Sequence, residues 1–353
     1  MIFASVVSGF GLTDFLWVSG LCALAALVLL WPRSQRTQRV QCIVFIAIGL
    51  MCLAFAWIRG HGEIPIRQLL TQNHLLISLL CAVSFLRLIT DTRAASGKTP
   101  KTGEKAFLQT ISGLHFFSSV INLSALIIFG DALSRNQKLG RTTATSLQRG
   151  FSLAALWSPF FAAMGTCLLY APGTRLPDLW LLSIPLCAFG LMFTWAEHRF
   201  RGAGGLDIFE GYPVNFRALW VPSLMVVCVL GANSLFPDVS VLVLVSALSV
   251  LVTATVIAAR ESLSQAIATV RNFSYHRLPD MYGELILFFS TGIMATGISA
   301  LVAVTQPALN VVGFTPGIAI SLLAILLFLA VVGVHAIVSI VAASAIITPL
   351  NPE

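Results

Sequence analysis

The sequence predicts an all-α polytopic membrane protein with about nine to eleven transmembrane or re-entrant helical segments. Three observations carry this reading. Of the 353 residues, 57% are apolar and only 10% are charged, against roughly a quarter charged in soluble domains. Apolar runs of about 17 to 25 residues recur along the whole chain, each able to cross a ~30 Å hydrocarbon layer. The alternating segments of about ten residues that a β-barrel would need do not occur.

The same composition bears on other classes. The net charge of +7 comes from basic residues gathered in short loops between apolar runs. It reads as positive-inside bias, not as nucleic-acid binding. The seven cysteines lie in or beside apolar runs without a CxxC pair, which suits small buried hydrophobes better than disulfides or metal ligands. Residues 16–31 follow no positively charged start and precede no clear cleavage site, so a retained helix is expected there and not a signal peptide.

Residues 12–31 and 40–58 form two spans joined by a loop with Arg33, Arg36 and Arg39. A short third span, 74–90, follows an amphipathic stretch at 64–72, and a polar loop at 91–105 carries Arg93, Lys98, Lys101 and Lys105. The two basic loops share a side, taken as cytoplasmic, which puts the N-terminus outside. Residues 1–105 thus read as N-terminal scaffold helices.

Residues 106–196 read as a first transport unit. The run 106–130 is apolar enough to enter a membrane, yet it holds Thr110, Ser112, Gly113, His115, Ser118, Ser119, Asn122 and Ser124. If it crossed, the next loop would be external while carrying Arg135, Lys138, Arg141 and Arg149 against Asp131. A re-entrant hairpin of two short helices with a polar tip removes that conflict. An ordinary span with its serines satisfied by the backbone is the alternative. The run 150–170 then crosses outward with Trp157, Ser158 and Pro159 in its middle, and 179–196 returns. A proline there removes a backbone donor and frees a carbonyl one turn earlier, so a broken helix is expected.

Residues 197–217 form a basic, Gly-rich cytoplasmic linker. Residues 218–280 supply a second scaffold: spans 218–236 and 239–259 paired about Pro237 and Asp238, then an interfacial stretch with Arg260, Arg271 and Arg277. Residues 281–353 form a second transport unit with spans at 285–304, 318–332 and 334–350. No Asp, Glu, Lys or Arg occurs from 285 to 352, yet Ser290, Thr291, Thr296, Ser299, His335, Ser339 and Ser344 cluster there. The halves match in order: Glu104, a Ser112-Gly113 pair and a break at Pro159 in one, and Glu284, Thr291-Gly292 and the Val334-His335 stretch in the other. Inverted repeats of this kind place a binding site between discontinuous helices.

On these features the chain resembles the ion-transporter superfamily of dicarboxylate/sodium symporters, citrate transporters and arsenite permeases. The residues that carry the resemblance run from Ser118 to Asn122 and from Arg149 to Ser152, leading into Trp157-Ser158-Pro159, with Ser290-Thr291-Gly292 and Gly333-Val334-His335 as counterparts. The resemblance implies scaffold helices, hairpins and helices broken at the substrate site, and one more helix after Pro352.

Candidate substrate- or ion-binding residues are therefore Ser118, Ser119, Asn122, Trp157, Ser158, Pro159, Thr291, Thr296, His335 and Ser339. Hydroxyl and amide dipoles can replace water around a small ion, and His115 and His335 can carry a coupling proton. The expected function is a secondary active transporter for a small solute, an anion such as a carboxylate or oxyanion, with Na⁺ or H⁺ coupling. No other cofactor, no metal and no nucleic acid is expected. The bilayer is a partner, a homodimer is kept open, and the expected location is a bacterial inner membrane. The rivals are a membrane-embedded enzyme of lipid or glycan metabolism, and a channel or non-catalytic permease subunit. No P-loop points to ATP, and no HExxH or paired aspartates point to a hydrolase.

Overall fold

A computed structural model describes residues 1–59, 65–90, 102–134, 138–171, 173–201, 206–207, 209–214, 219–305, 315–332, 334 and 336–347. Among them the chain is helical, with no strand beyond an isolated bridge between Thr102 and Glu210. Among the described residues six stretches are long and apolar enough to cross a membrane: Leu16–Arg33, Arg36–Ile58, Ile66–Leu88, Leu176–Phe200, Val241–Arg260 and Leu263–Thr305. Large apolar side chains cover their outer faces, as Leu181, Leu182, Phe189 and Phe193 do on one of them. Such extended exposed apolar faces suit contact with lipid, not water. The chain is an all-helical integral membrane protein.

The helices fall into two compact units that interleave along the chain. The first comprises residues 1–78, 166–173 and 271–353. It contains α1 (Ile2–Gly9), α2 (Leu16–Leu30), α3 (Arg36–Ile58), α4 (Ile66–Thr71) and the start of α5 (His74–Ser84). The second unit, 79–165 and 174–270, holds the rest of α5, then α6 (Glu104–Ile121), α7 (Leu123–Leu133), α8 (Arg141–Ala154) and the start of α9 (Ala162–Tyr170). It also holds α10 (Leu176–Arg201), α11 (Trp220–Leu235), α12 (Val241–Arg260) and the start of α13 (Leu263–His276). The chain then returns to the first unit for α14 (Tyr282–Thr305), α15 (Pro316–Val332) and α16 (Ala336–Ile347).

In the first unit α3 and α14 form the central pair. Pro32 closes α2 in a 3-10 turn, and a capping box of Gln35 and Gln38 starts α3, pairing donors that a helix start leaves orphaned. Gln38 lies against Gly283, and Gly49 lies against Ile293, Met294 and Gly297. The register advances the same way on both helices, so they run parallel. Their backbones touch at Gly49 and Gly297, where neither carries a side chain to hold them apart. A cavity of about 420 Å³ opens at their shared N-terminal end, lined by Gln35, Gln38, Gln41, Asp280 and Glu284.

Polar ties complete this unit. Ser78 donates to Ser5, whose hydroxyl is 2.8 Å from that of Ser19, and all three are buried. Asn73, in the turn between α4 and α5, donates to the Phe288 carbonyl (2.7 Å) and to Thr291 Oγ1 (3.2 Å). It accepts the Tyr170 hydroxyl, and Ser344 donates to the Tyr170 carbonyl. Asn73→Ala would empty three hydrogen bonds and leave the buried Tyr170 hydroxyl with Gln72 alone. Interhelical hydrogen bonds in membranes are worth roughly 0.6–1.7 kcal/mol each, so a loss of about 1–3 kcal/mol is expected in detergent unfolding. Tyr170→Phe should cost about half as much, and equal stability of all three proteins would remove this knot from the account of the fold.

In the second unit α6 is the central helix, packed on α7, α8 and α11, while α10 packs on α8. Phe107 and Ile111 of α6 join Leu206 and Phe209 in a core cluster, with the Phe107 and Phe209 rings 5.1 Å apart in a T arrangement. Residues 131–149 read in sequence as a loop, but α8 begins at Arg141. Its buried residues Ser146, Leu147, Gly150 and Ala154 fall on one face. An amphipathic stripe of small residues drives this helix, and it lacks the continuous apolar run by which spans are recognised. Two breaks interrupt the unit. One is Asn122 between α6 and α7; the other runs over residues 155–161 between α8 and α9, where Pro159 falls.

Candidate functional site

The two breaks meet. Ser158, in the second, donates through its hydroxyl to the carbonyl of Ser119, in the last turn of α6 before Asn122. The same oxygen accepts the Phe160 N–H at 3.2 Å. Ser158 is therefore a joint: one buried hydroxyl satisfies a backbone donor of its own loop and ties that loop to α6. Asn122 takes φ 55° and ψ −138°, and no other described non-glycine residue has a positive φ. This conformation strains a side-chain-bearing residue, a feature that concentrates at functional sites. Beside it, Ser118 is fully buried and its hydroxyl has no hydrogen-bond partner among the described residues. Ser119 spends its hydroxyl on the Phe116 carbonyl.

His115 lies one turn back on α6. Its Nδ1 is 3.0 Å from the Gly150 carbonyl, and the Trp157 indole N–H donates to its Nε2 at 3.0 Å. Gly150 permits the close approach of α8 to α6, since a Cβ there would stand 3.1 Å from the Ile111 side chain. Cys187 Sγ of α10 is 3.5 Å from the same Nε2, and Trp180 Nε1 of α10 donates to the Trp157 carbonyl. The break is thus held by α6 through Ser158 and by α10 through Trp157. On the same helices Arg149 pairs with Glu197, while Glu104 accepts Trp195 Nε1 at 2.7 Å and has Arg199 at 3.7 Å.

Of the residues expected to form the site, His115, Ser118, Ser119, Asn122, Trp157, Ser158 and Pro159 gather at these two breaks. Thr291, Thr296 and Ser339 belong to the first unit. There Thr291 joins the Asn73 knot, and Thr296 back-bonds to the Gly292 carbonyl at 3.1 Å. Ser339 is buried without a partner for its hydroxyl among the described residues. His335 and Gly333 lie outside the described residues. Sequence reasoning missed Cys187 and Gly150 as neighbours of His115, and Trp180 as the anchor of Trp157. In sequence Cys187 reads as a buried hydrophobe, and nothing local links it to a histidine 72 positions earlier. Among the described residues no group of three or more His, Cys, Asp or Glu side chains could hold a metal ion.

Helices long enough to cross a bilayer, with two breaks tied together inside one unit, define a helical membrane protein with an interrupted polar core. Compared with protein-family models, curated proteins and solved structures, the chain matches none.

Proposed function

We propose that the protein is a secondary active transporter. Its solute is small and anionic, a carboxylate or oxyanion, and moves with Na⁺ or H⁺ across a plasma membrane. The observation that carries this reading is the meeting of two helix breaks through Ser158 and the Ser119 carbonyl. Non-helical backbone at membrane depth is tolerated where protein encloses it or where it lines a cavity, and transporters place binding sites between discontinuous helices. The strained Asn122 and the Ser118 hydroxyl, which has no partner among the described residues, add polar groups at the same spot. The start of a helix favours negative charge, and α7 begins at this junction. The likeness to the ion-transporter superfamily points the same way.

The test is uptake by proteoliposomes offered a panel of carboxylates and oxyanions, with and without Na⁺ and pH gradients. Gradient-driven accumulation of one class is expected. Uniform failure across the panel, with folded protein, would overturn the reading.

Topology gives an independent check. In this reading α6 and α7 form a re-entrant hairpin, so Lys138 stays on the cytoplasmic side. A Lys138→Cys variant in a cysteine-free background should resist membrane-impermeant thiol reagents in intact cells. Ready labelling from outside would make residues 106–130 a simple span.

A further inference from the structure

We propose that His115 is a proton-operated latch on the second break: neutral, it holds Trp157, and protonated at Nε2 it releases Trp157 and turns to Cys187. The hydrogen bonds fix the starting state. The Gly150 carbonyl can only accept, so His115 Nδ1 carries the hydrogen. The Trp157 indole N–H can only donate, so Nε2 must present its lone pair. Both nitrogens are assigned by their partners, and the ring is neutral in this arrangement.

A proton arriving from water at Nε2 takes up that lone pair. Nδ1–H keeps its bond to Gly150, and the ring gains one positive charge. The new Nε2–H then faces the indole N–H, two donors with no acceptor between them. Trp157 must leave. Cys187 Sγ, 3.5 Å from Nε2, is a weak acceptor that can take the new hydrogen. The Trp157 backbone stays anchored through its carbonyl to Trp180, so the first motion is a swing of the indole away from α6. That swing loosens residues 155–161 at the point where Ser158 ties them to α6.

On the elements packed against α6, the titratable neighbours are Cys187 of α10, beside Nε2, and His198 of α10, whose ring packs edge-on against Phe107 at the start of α6, 5.7 Å between centroids. Arg149 of α8, next to Gly150, is engaged by Glu197, and Glu104 lies at the start of α6 with Arg199. Asp131 sits in the last turn of α7, Arg87 lies in the turn Phe85–Leu88, and α11 brings only Cys228.

As the route by which H⁺ is coupled to solute, the latch rests on the transport reading. As a switch it can be read without transport. Two measurements on purified protein in lipid nanodiscs test it. In the first, ¹⁵N-histidine spectra at about pH 8 should show His115 as the Nδ1–H tautomer. An Nε2–H tautomer would overturn the proposal, and this measurement needs no variant. In the second, the Trp157 contribution to fluorescence, taken as the difference from Trp157→Phe, should change between about pH 8 and about pH 5. His115→Gln can accept the indole N–H without titrating, so the change should vanish in it. A Trp157 signal flat with pH in the wild type, or a transition retained by His115→Gln, would overturn the latch. A transition lost in His115→Gln, in a protein that moves no solute, would instead leave the latch standing and sink the transport reading.

Discussion

Gly297→Val is expected to prevent stable assembly of the first unit, with the variant lost from the detergent-soluble folded fraction. A Cβ at Gly297 would run into the Gly49 carbonyl oxygen and stand 2.7 Å from the Gly49 carbonyl carbon and Cα. The reciprocal Cβ at Gly49 would stand 2.6 Å from the Ile293 carbonyl oxygen and 2.9 Å from Met294 Cα. A flexible side chain could step aside, but helix backbone cannot. The whole α3–α14 pair would have to separate, and these are the most extensively packed helices of the unit. Overpacking a side-chain core commonly costs about 1–3 kcal/mol, and pressing on backbone belongs at or beyond the top of that range. Gly231 of α11 is the control, because nothing lies within 4 Å of a Cβ placed there. Gly231→Ala should behave as wild type in size-exclusion and thermal unfolding. A Gly297→Val protein with a wild-type melting temperature would mean that α3 and α14 do not meet as described.

That contact shows where sequence reasoning reaches its limit. The apolar runs mark α2, α3, α10, α12 and α14 without help, because a bilayer demands length and hydropathy that no other solvent does. The break near Pro159 is equally readable, since proline acts on its own turn. The polar cluster before Asn122 signals an interruption, although not that Asn122 itself carries the positive φ. Partners chosen over long distances are hidden. Asn73 and Tyr170 stand 97 positions apart, and each reads alone as a polar residue at the edge of an apolar stretch. Gly49 and Gly297 are two glycines among 26, and nothing local says that these two touch. The segment at 166–173, which belongs with helices from both ends of the chain, is allotted by packing that no window of sequence contains. α8 escapes for another reason. Its pattern is amphipathic and polar, and a scale that seeks membrane helices passes over it.

Asn122 allows the binding role of a side chain to be separated from its structural cost. At φ 55° and ψ −138° a Cβ is a liability, and such strain typically costs about 1–3 kcal/mol. Glycine adopts this region without steric penalty, so Asn122→Gly should raise stability by about 1 kcal/mol or more, while Asn122→Ala keeps the strain and gains nothing. Both remove the carboxamide. If the carboxamide touches the solute or coupling ion, each substitution weakens apparent affinity by roughly fivefold to tenfold, since 1.4 kcal/mol is a factor of ten. A protein made more stable and less able to bind is hard to explain by misfolding. Ser158→Ala should behave differently. It strands the Ser119 carbonyl and the Phe160 N–H together, and each buried unpaired group costs about 1–3 kcal/mol. Stability and affinity should therefore fall together, with the larger stability loss of the three variants. If Ser158 and Asn122 serve one site, the double variant Asn122→Gly/Ser158→Ala should lose less affinity than the two single losses combined, because neighbouring groups couple. Apparent affinity unchanged in a stabilised Asn122→Gly protein would exclude the Asn122 side chain as a ligand. Unchanged affinity in Ser158→Ala as well would move the binding site away from the two breaks.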